Sequence, residues 1–379
     1  MRIAHLITDL STGGAEMMLL RLVCNMDRKR FSNHVISLTG IGPVGEQLLS
    51  AGVPVTSLGM RKGTLSPTAL LHLISWLRAR QPDVLQTWLY HSDLLGAMAA
   101  SVTGIRTVVW NVRCSNMDLV HYSATTRLVV RACAFLSSLP SAVVVNSEAG
   151  LRHHSRIGYH PGRWEFIPNG FDLQHYHPDH SNRQRLRKGL SLPEETLLVG
   201  SIARFDPMKD HRTLLEAAAR LHATYSNVHF VLCGRGVEAS NGRLSGWIEE
   251  LNARGFVHLL GERRDVPEIM SGLDVLASAS SFGEGFPSVV GEAMACGAPC
   301  VVTDVGDSAL VVGPTGRVVP PGDSHAMADA LCQLIVMGPD ARLRLGLAAR
   351  ERMEQHYSLA AAIRRYQTLY EELVDGSGG

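Results

Sequence analysis

Short, fully apolar runs alternate with amphipathic helical stretches along almost the whole chain, and nothing else in the sequence constrains the fold so strongly. "RIAHLIT" leads through a glycine turn into the helical "AEMMLLRLVCNM". "NHVISLTG", "VPVTSLG", "DVLQTW", "TVVWNV" and "AVVVNS" follow, with helical material between them. Runs that are apolar at every position must be covered on both faces, which means a parallel sheet flanked by helices. Near residue 168 the pattern breaks into "IPNGFDLQHYHPDHSNRQRLRKGL", rich in turn formers and read as an interdomain linker. A second series begins after it: "LLVGSIAR", "VHFVLCG", "VHLLG", "VLASAS", "CVVTD", "GRVV". At 379 residues the chain is too long for one ordinary core. The expectation is therefore two doubly wound α/β domains in tandem, facing each other with the carboxyl ends of their strands, where ligands bind in such sheets. The late "SLAAAIRRYQTLYEELV" has helical spacing and belongs to neither series, and the terminal "GSGG" is expected to be disordered.

Composition removes several classes. Apolar residues make up 45% and charged residues 19%, as in a globular chain. The formal net charge of +1 supplies no overall field for nucleic acid, so any basic patch must be local. Seven cysteines, at 24, 114, 133, 233, 296, 300 and 332, form no CxxC pair, which suggests neither a disulfide framework nor a zinc knuckle. The start "MRIAHLITDL" lacks a long apolar signal region, and no stretch approaches eighteen uninterrupted apolar residues. A cytoplasmic protein is expected, with contact at a membrane surface left open.

Three segments carry candidate chemistry. In "DLSTGGAEMMLLRL" a strand ends, Gly13 and Gly14 allow a tight turn, and a helix starts at about Ala15, so its first amides would face an anion. The segment is neither GxGxxG nor a P-loop, and a plain strand-to-helix turn is the competing reading. In "VGSIARFDPMKDHRTLLEAAARL", Arg204 and Lys209 follow a strand, before a helix that Asp210 can cap. Two cations there suit a diphosphate, although a solvated charged loop would look the same. In "SFGEGFPSVVGEAMACGAPCVVTD", a helix starts at Pro287 and Ser288, Glu284 lies in its approach loop and Glu292 about one turn inside. The first-turn amides attract anions, so the two acids are better suited to accept hydrogen bonds from the hydroxyls of two sugars. A solvated Glu284 and a Glu292 that merely balances the helix dipole remain the alternative.

Taken in order, "GGAE", "FIPNGFD", the R-x4-K of "RFDPMK" and the E-x7-E of "EGFPSVVGEAMACGAPCV" closely resemble the retaining GT-B glycosyltransferases of family four, over nearly the whole chain. The resemblance implies two facing Rossmann-like domains: residues 1–170 on the acceptor side, joined by a returning helix at 358–375, and residues 171–357 holding the nucleotide-sugar donor. It implies no metal and no cofactor, with a UDP-sugar favoured over a GDP-sugar. Carried over, Arg204 and Lys209 stabilise the leaving diphosphate, Glu284 holds donor-sugar hydroxyls and Glu292 the ribose. The amides of Phe286, Ser288 and Val289 would contact sugar and phosphates, Gly14 would approach from the other side, and Arg263 falls where relatives hold the base. Where many relatives have glycine this chain has Pro287, so that N–H contact is missing.

The acceptor side departs from the family. Where relatives place a histidine after a strand, "VVWNVRCSN" has Asn111 and Arg113, as in a subgroup of bacterial surface-polysaccharide assembly. "QTWLYHSDLLG" adds His91 and Asp93 as further acceptor candidates, with helix capping as the alternative for Asp93. The implied acceptor is a saccharide, lipid-linked by analogy with that subgroup, or else a soluble sugar or metabolite; a nucleotide-sugar epimerase shares the architecture and is the reading outside transferases. His175, His177 and His180 match no metal motif. "RKGTLSPTALLHLISWLRARQ", with Arg61, Lys62, Arg78 and Arg80, and "RLVVRACAFLSSL" suggest peripheral contact with the inner face of a membrane, or ordinary helices packed on a sheet.

Overall fold

The apolar runs form parallel strands. A computed structural model of the chain describes residues 1–61, 66–113 and 123–376. Lys62, Cys114 and residues 377–379 of the terminal "GSGG" lie outside the described residues. The chain divides into two compact units, Met1–Gly170 with Leu359–Gly379, and Phe171–Ser358.

Among the described residues, the first unit holds seven strands: β1 (Arg2–Ile7), β2 (Ser32–Ser37), β3 (Val55–Ser57), β4 (Val84–Trp88), β5 (Val108–Val112), β6 (Ala142–Val145) and β7 (Trp164–Phe166). All pair in parallel, in the order β3-β2-β1-β4-β5-β6-β7. β4, β5 and β6 are buried at every position, which is why their sequences do not alternate. The helix Leu359–Gly376 closes this unit. Leu359, Ala362, Ile363, Tyr366, Leu369 and Tyr370 recur at three- and four-residue steps and join one core with Ile3, Leu19 and Leu22.

The second unit holds β8 (Leu197–Ile202), β9 (Val228–Cys233), β10 (Val257–Leu259), β11 (Val275–Ser278), β12 (Cys300–Thr303) and β13 (Arg317–Val319), parallel in the order β10-β9-β8-β11-β12-β13. Each unit is thus Rossmann-like, as the alternation led one to expect, and two such units in tandem are the GT-B fold class that the resemblance implied.

The stretch read as a linker is mostly built into the second unit. Phe171 is buried, and Asp179 caps a helix, His180–Gly189, by accepting from the Ser181 amide at 2.8 Å. From this helix Arg187, 1% exposed, donates to Asp274 at 2.5 Å and to the Thr196 and Gly272 carbonyls. Asp274 also accepts the Leu198 amide at 2.7 Å, so a buried charge is fully hydrogen-bonded beneath β8. The polar residues that suggested a solvated linker include this internal staple.

Candidate functional site

In a doubly wound sheet, ligands bind beyond the carboxyl ends of the two strands between which the strand order reverses. In the second unit those strands are β8 and β11, and the loops leaving them carry the cations and acids singled out in the sequence. After β8, Asp206 accepts from Arg204 Nε at 3.0 Å and from the Met208 amide at 3.0 Å, turning Pro207–Lys209 into a single three-ten turn. Asp210, at φ +44°, then caps the helix His211–Thr224 through the Thr213 amide at 3.2 Å.

The loop after β11 is locked to this turn. The Ser281 amide donates to the Met208 carbonyl at 2.8 Å. Gly283, at φ +76°, passes so close that a Cβ would lie 2.7 Å from Met208 Sδ. Behind it, Thr303 Oγ1 donates to the Ser280 carbonyl at 2.6 Å and the Asp307 amide to the Gly285 carbonyl at 3.0 Å. The result is an ion pair between Lys209 Nζ and Glu284, only 15% and 11% exposed, to which Ser280 Oγ adds a 2.6 Å hydrogen bond. Nothing in the sequence pointed to Ser280, which lies 71 residues from Lys209 in the chain.

The helix Ser288–Ala295 follows. Pro287 occupies its N-cap and supplies no side-chain cap, so the first amides, including those of Ser288 and Val289, lack helical acceptors. Glu292 projects one turn in and is half-buried. Phe286 is buried against Phe171 at 6.0 Å and Tyr357 at 5.5 Å between ring centroids. Phe171 presses on the helix itself: a Cβ on Gly291 would lie 2.4 Å from its ring. Phe171 and Tyr357 stand at the two places where the chain passes between units, and the Phe171 amide donates to the Tyr357 carbonyl at 2.9 Å. Arg263 stands apart, beyond the edge strand β10, paired with Asp265 at 2.5 Å over a 270 Å³ groove lined also by Leu260 and Ile269.

In the first unit the order reverses between β1 and β4. Their loops meet where Thr8 Oγ1 and Ser92 Oγ lie 3.2 Å apart. A Cβ on Gly14 would meet nothing within 4 Å, but one on Gly13 would lie 2.3 Å from Glu16 Oε2. The buried Glu16 carboxylate therefore already stands at the turn whose amides were expected to face an anion. On the β4 side Leu89 has φ +73° and ψ 155°, a region nearly exclusive to glycine, costing roughly 1–3 kcal/mol. Such strain collects at functional turns, and no sequence signal announces it. The next side chain but one is His91, half-buried; its Nε2 has no partner among the described residues, and burial lowers its pKa.

The other acceptor candidates make contacts within the first unit. Asp93 is wholly buried, accepts from Thr87 Oγ1 at 2.5 Å through Oδ1 while Oδ2 has no hydrogen-bond partner among the described residues, and is pushed well above the usual carboxylate range by desolvation. It neither lines an open site nor caps the helix. Asn111 is equally buried and donates through Nδ2 to Tyr366 Oη at 2.9 Å. Arg113 donates to Asn169, lies over the Trp88 ring at 5.4 Å and reaches Tyr366 Oη at 3.5 Å. In place of a histidine, this chain thus has a polar socket for its last helix, completed by Tyr370 Oη donating to Gln86 at 2.9 Å.

Among the described residues no three His, Cys, Asp or Glu side chains gather into a metal site. No helix there is long and apolar enough to cross a membrane.

Comparison with known proteins agrees with this fold. Residues 12–175 match the family described as Glycosyltransferase Family 4, and residues 182–352 that described as Glycosyl transferases group 1. Over 312 residues the chain is 23% identical to UDP-Gal:alpha-D-GlcNAc-diphosphoundecaprenol alpha-1,3-galactosyltransferase of Escherichia coli, covering 81% of this chain and 79% of the relative. It is 29% identical over 233 residues to D-inositol 3-phosphate glycosyltransferase of Corynebacterium glutamicum, covering 59% of this chain and about half, 54%, of that one. HepE from Anabaena, solved in complex with UDP, superposes with a TM-score of 0.86 at 23% identity, covering 98% of this chain and 100% of HepE.

Proposed function

We propose that the chain, which matches Glycosyltransferase Family 4 in its first half and Glycosyl transferases group 1 in its second, is a GT-B glycosyltransferase that transfers a sugar with retention from a UDP-sugar to a lipid-linked saccharide in surface-polysaccharide assembly. The observation that carries this reading is the Lys209–Glu284–Ser280 cluster in the loops that lead to the helix Ser288–Ala295, at the switch point of the second sheet. The UDP held by HepE supports the choice of nucleotide, and the diphosphoundecaprenol in the Escherichia coli relative's name supports the acceptor.

The donor lies against the second unit. Its diphosphate meets Lys209, Arg204 swung from Asp206, and the amides of Ser288 and Val289; these charges and dipoles take the part a divalent cation plays elsewhere. Glu284 exchanges Lys209 for hydroxyls of the donor sugar, and Glu292 accepts from the ribose. Arg263 and its groove take the base. No carboxylate is placed as a nucleophile in this scheme, so substitution runs on the front face. The bond from the anomeric carbon to the diphosphate breaks, the acceptor oxygen bonds to the same face, and its proton passes to a β-phosphate oxygen. Catalysis is then positioning plus stabilisation of charge growing on the leaving group. His91, at the first unit's switch point, is the candidate for the acceptor, and Gly14 keeps the donor-binding role that the resemblance gives it.

Calorimetry with UDP, GDP and ADP tests the donor, with UDP expected to bind most tightly. Turnover of UDP-sugars in excess EDTA, with product stereochemistry read by NMR, tests the chemistry. Loss of turnover restored only by Mn²⁺ or Mg²⁺, or an inverted product, would overturn it. A soluble acceptor is the second reading, favoured by the D-inositol 3-phosphate relative. Product in water rather than in the detergent extract would select it.

A further inference from the structure

Three neighbouring helices on one face of the first sheet, Pro67–Arg80, Tyr90–Thr103 and Ala124–Leu136, combine exposed apolar side chains with arginines and lack exposed acids. The first is tied to the second where Arg78 donates to the Val102 carbonyl at 3.2 Å. Their outward positions hold Leu71, Met98 and Val102, and then a stripe on the third helix and the turn after it: Leu128 at 64% exposed, Phe135 at 79% and Leu139 at 64%. These last three fall at seven- and four-residue steps, so they line one side of the helix, with Arg127 and Arg131 among them. Arg78, Arg80 and Arg106 are exposed beside the other two helices. Across residues 66–80, 90–106 and 123–141 the one acid is Asp93, which is buried.

We propose that this face docks the enzyme on an anionic lipid surface, with Phe135, Leu128 and Leu139 entering the headgroup boundary and the arginines meeting lipid phosphates. Apolar side chains interleaved with cations are the composition that interfacial helices use. A second copy of the chain fits worse: a two-fold contact would set Arg127 and Arg131 against the same acid-free patch. A nucleic acid fits worse as well, since Phe135 is the one aromatic ring in the exposed stripe and the leucine and methionine side chains around it give bases nothing to stack on. The inference rests on the lipid-linked acceptor reading and extends it, by stating which surface meets the bilayer.

Vesicles of phosphatidylglycerol mixed with phosphatidylcholine, without donor or acceptor, provide the test by co-sedimentation of the full chain. Binding is expected to the mixed vesicles, to weaken at high salt, and to be lost on phosphatidylcholine alone. Arg127→Ser with Arg131→Ser should lower partition about thirtyfold, and Phe135→Ser with Leu139→Ser at least about tenfold. Both double variants should keep wild-type UDP binding and melting temperature, because the side chains are exposed. Absent or charge-independent vesicle binding would overturn the proposal. So would a dimer in analytical ultracentrifugation that Phe135→Ser with Leu139→Ser dissolves, which would make the face a contact between copies. Because UDP binding is measured without vesicles, failure of the docking face and failure of the transferase reading remain separable.

Discussion

Lys209 and Glu284 form one ion-paired unit, and this sharpens what each substitution should do. Glu284→Ala leaves the Lys209 ammonium without its carboxylate partner, so the free nucleoside diphosphate should bind as well as to wild type or better. Transfer should nevertheless fall, because sugar hydroxyls lose a charged acceptor whose hydrogen bonds contribute about 1.5–3 kcal/mol each. Glu292→Ala should weaken free UDP and UDP-sugar alike. If calorimetry finds free UDP weakened equally by the two substitutions, the assignment of one acid to each sugar is wrong. Lys209→Ala and Arg204→Ala should lower kcat more than donor affinity, on the order of a hundredfold or more, since leaving-group charge is greatest in the transition state. Wild-type kcat in both would remove them from that role. The motif letters at these four positions were legible in the sequence; the pairing across 75 residues was not, because spacing within a motif carries no information about contacts between motifs. The same limit hid the burial of Asp93 and Asn111. A residue at a strand end can point outward or into the packing of a remote helix, and Tyr366 lies 255 residues from Asn111.

At the scale of elements, the strands were readable because burial on both faces leaves an unbroken apolar run, as in "AVVV" and "CVVT". β7, whose "WEF" is half-buried and charged, carries no such run and was not anticipated. Nor was the helix His180–Gly189, because its buried Arg187 reads as a solvent residue until Asp274 is placed beside it. The most consequential packing that sequence could not show is Phe171 against the helix Ser288–Ala295. Gly291 sits between the amide end and Glu292, and the Phe171 ring occupies the space a methyl group would need. Gly291→Ala should therefore push the ring or tilt the helix, destabilising the second unit by about 1–3 kcal/mol, as overpacking does, and lowering kcat. Phe171→Leu combined with Gly291→Ala should recover part of both losses. Thermal melts and kinetics of the two single variants and the double variant measure this coupling, and strictly additive losses would show that the contact does not position the helix.

At the scale of the whole molecule, both units bury imidazoles that must stay neutral. Desolvation pushes His5 and His154 in the first unit, and His211 in the second, down to about 4. His154 is held by Tyr90 Oη at 2.8 Å and by the Gly150 carbonyl at 2.7 Å, while His211 Nδ1 has no partner among the described residues. In the unfolded chain these rings take up protons near pH 6.5; in the folded chain they do so only near pH 4. Between those values the unfolded state binds more protons, so stability falls as pH drops through that window and is complete above it. Because each unit has its own cores, acid should lower the melting of both rather than release one alone. The expected record is a melting temperature nearly flat above about pH 7 and falling steadily towards about pH 4. His211→Gln, which cannot titrate, should flatten the part of that slope belonging to the second unit while leaving the first unit's slope in place. A wild-type melting temperature that does not change between about pH 7 and about pH 5 would show that these rings are not held neutral by burial.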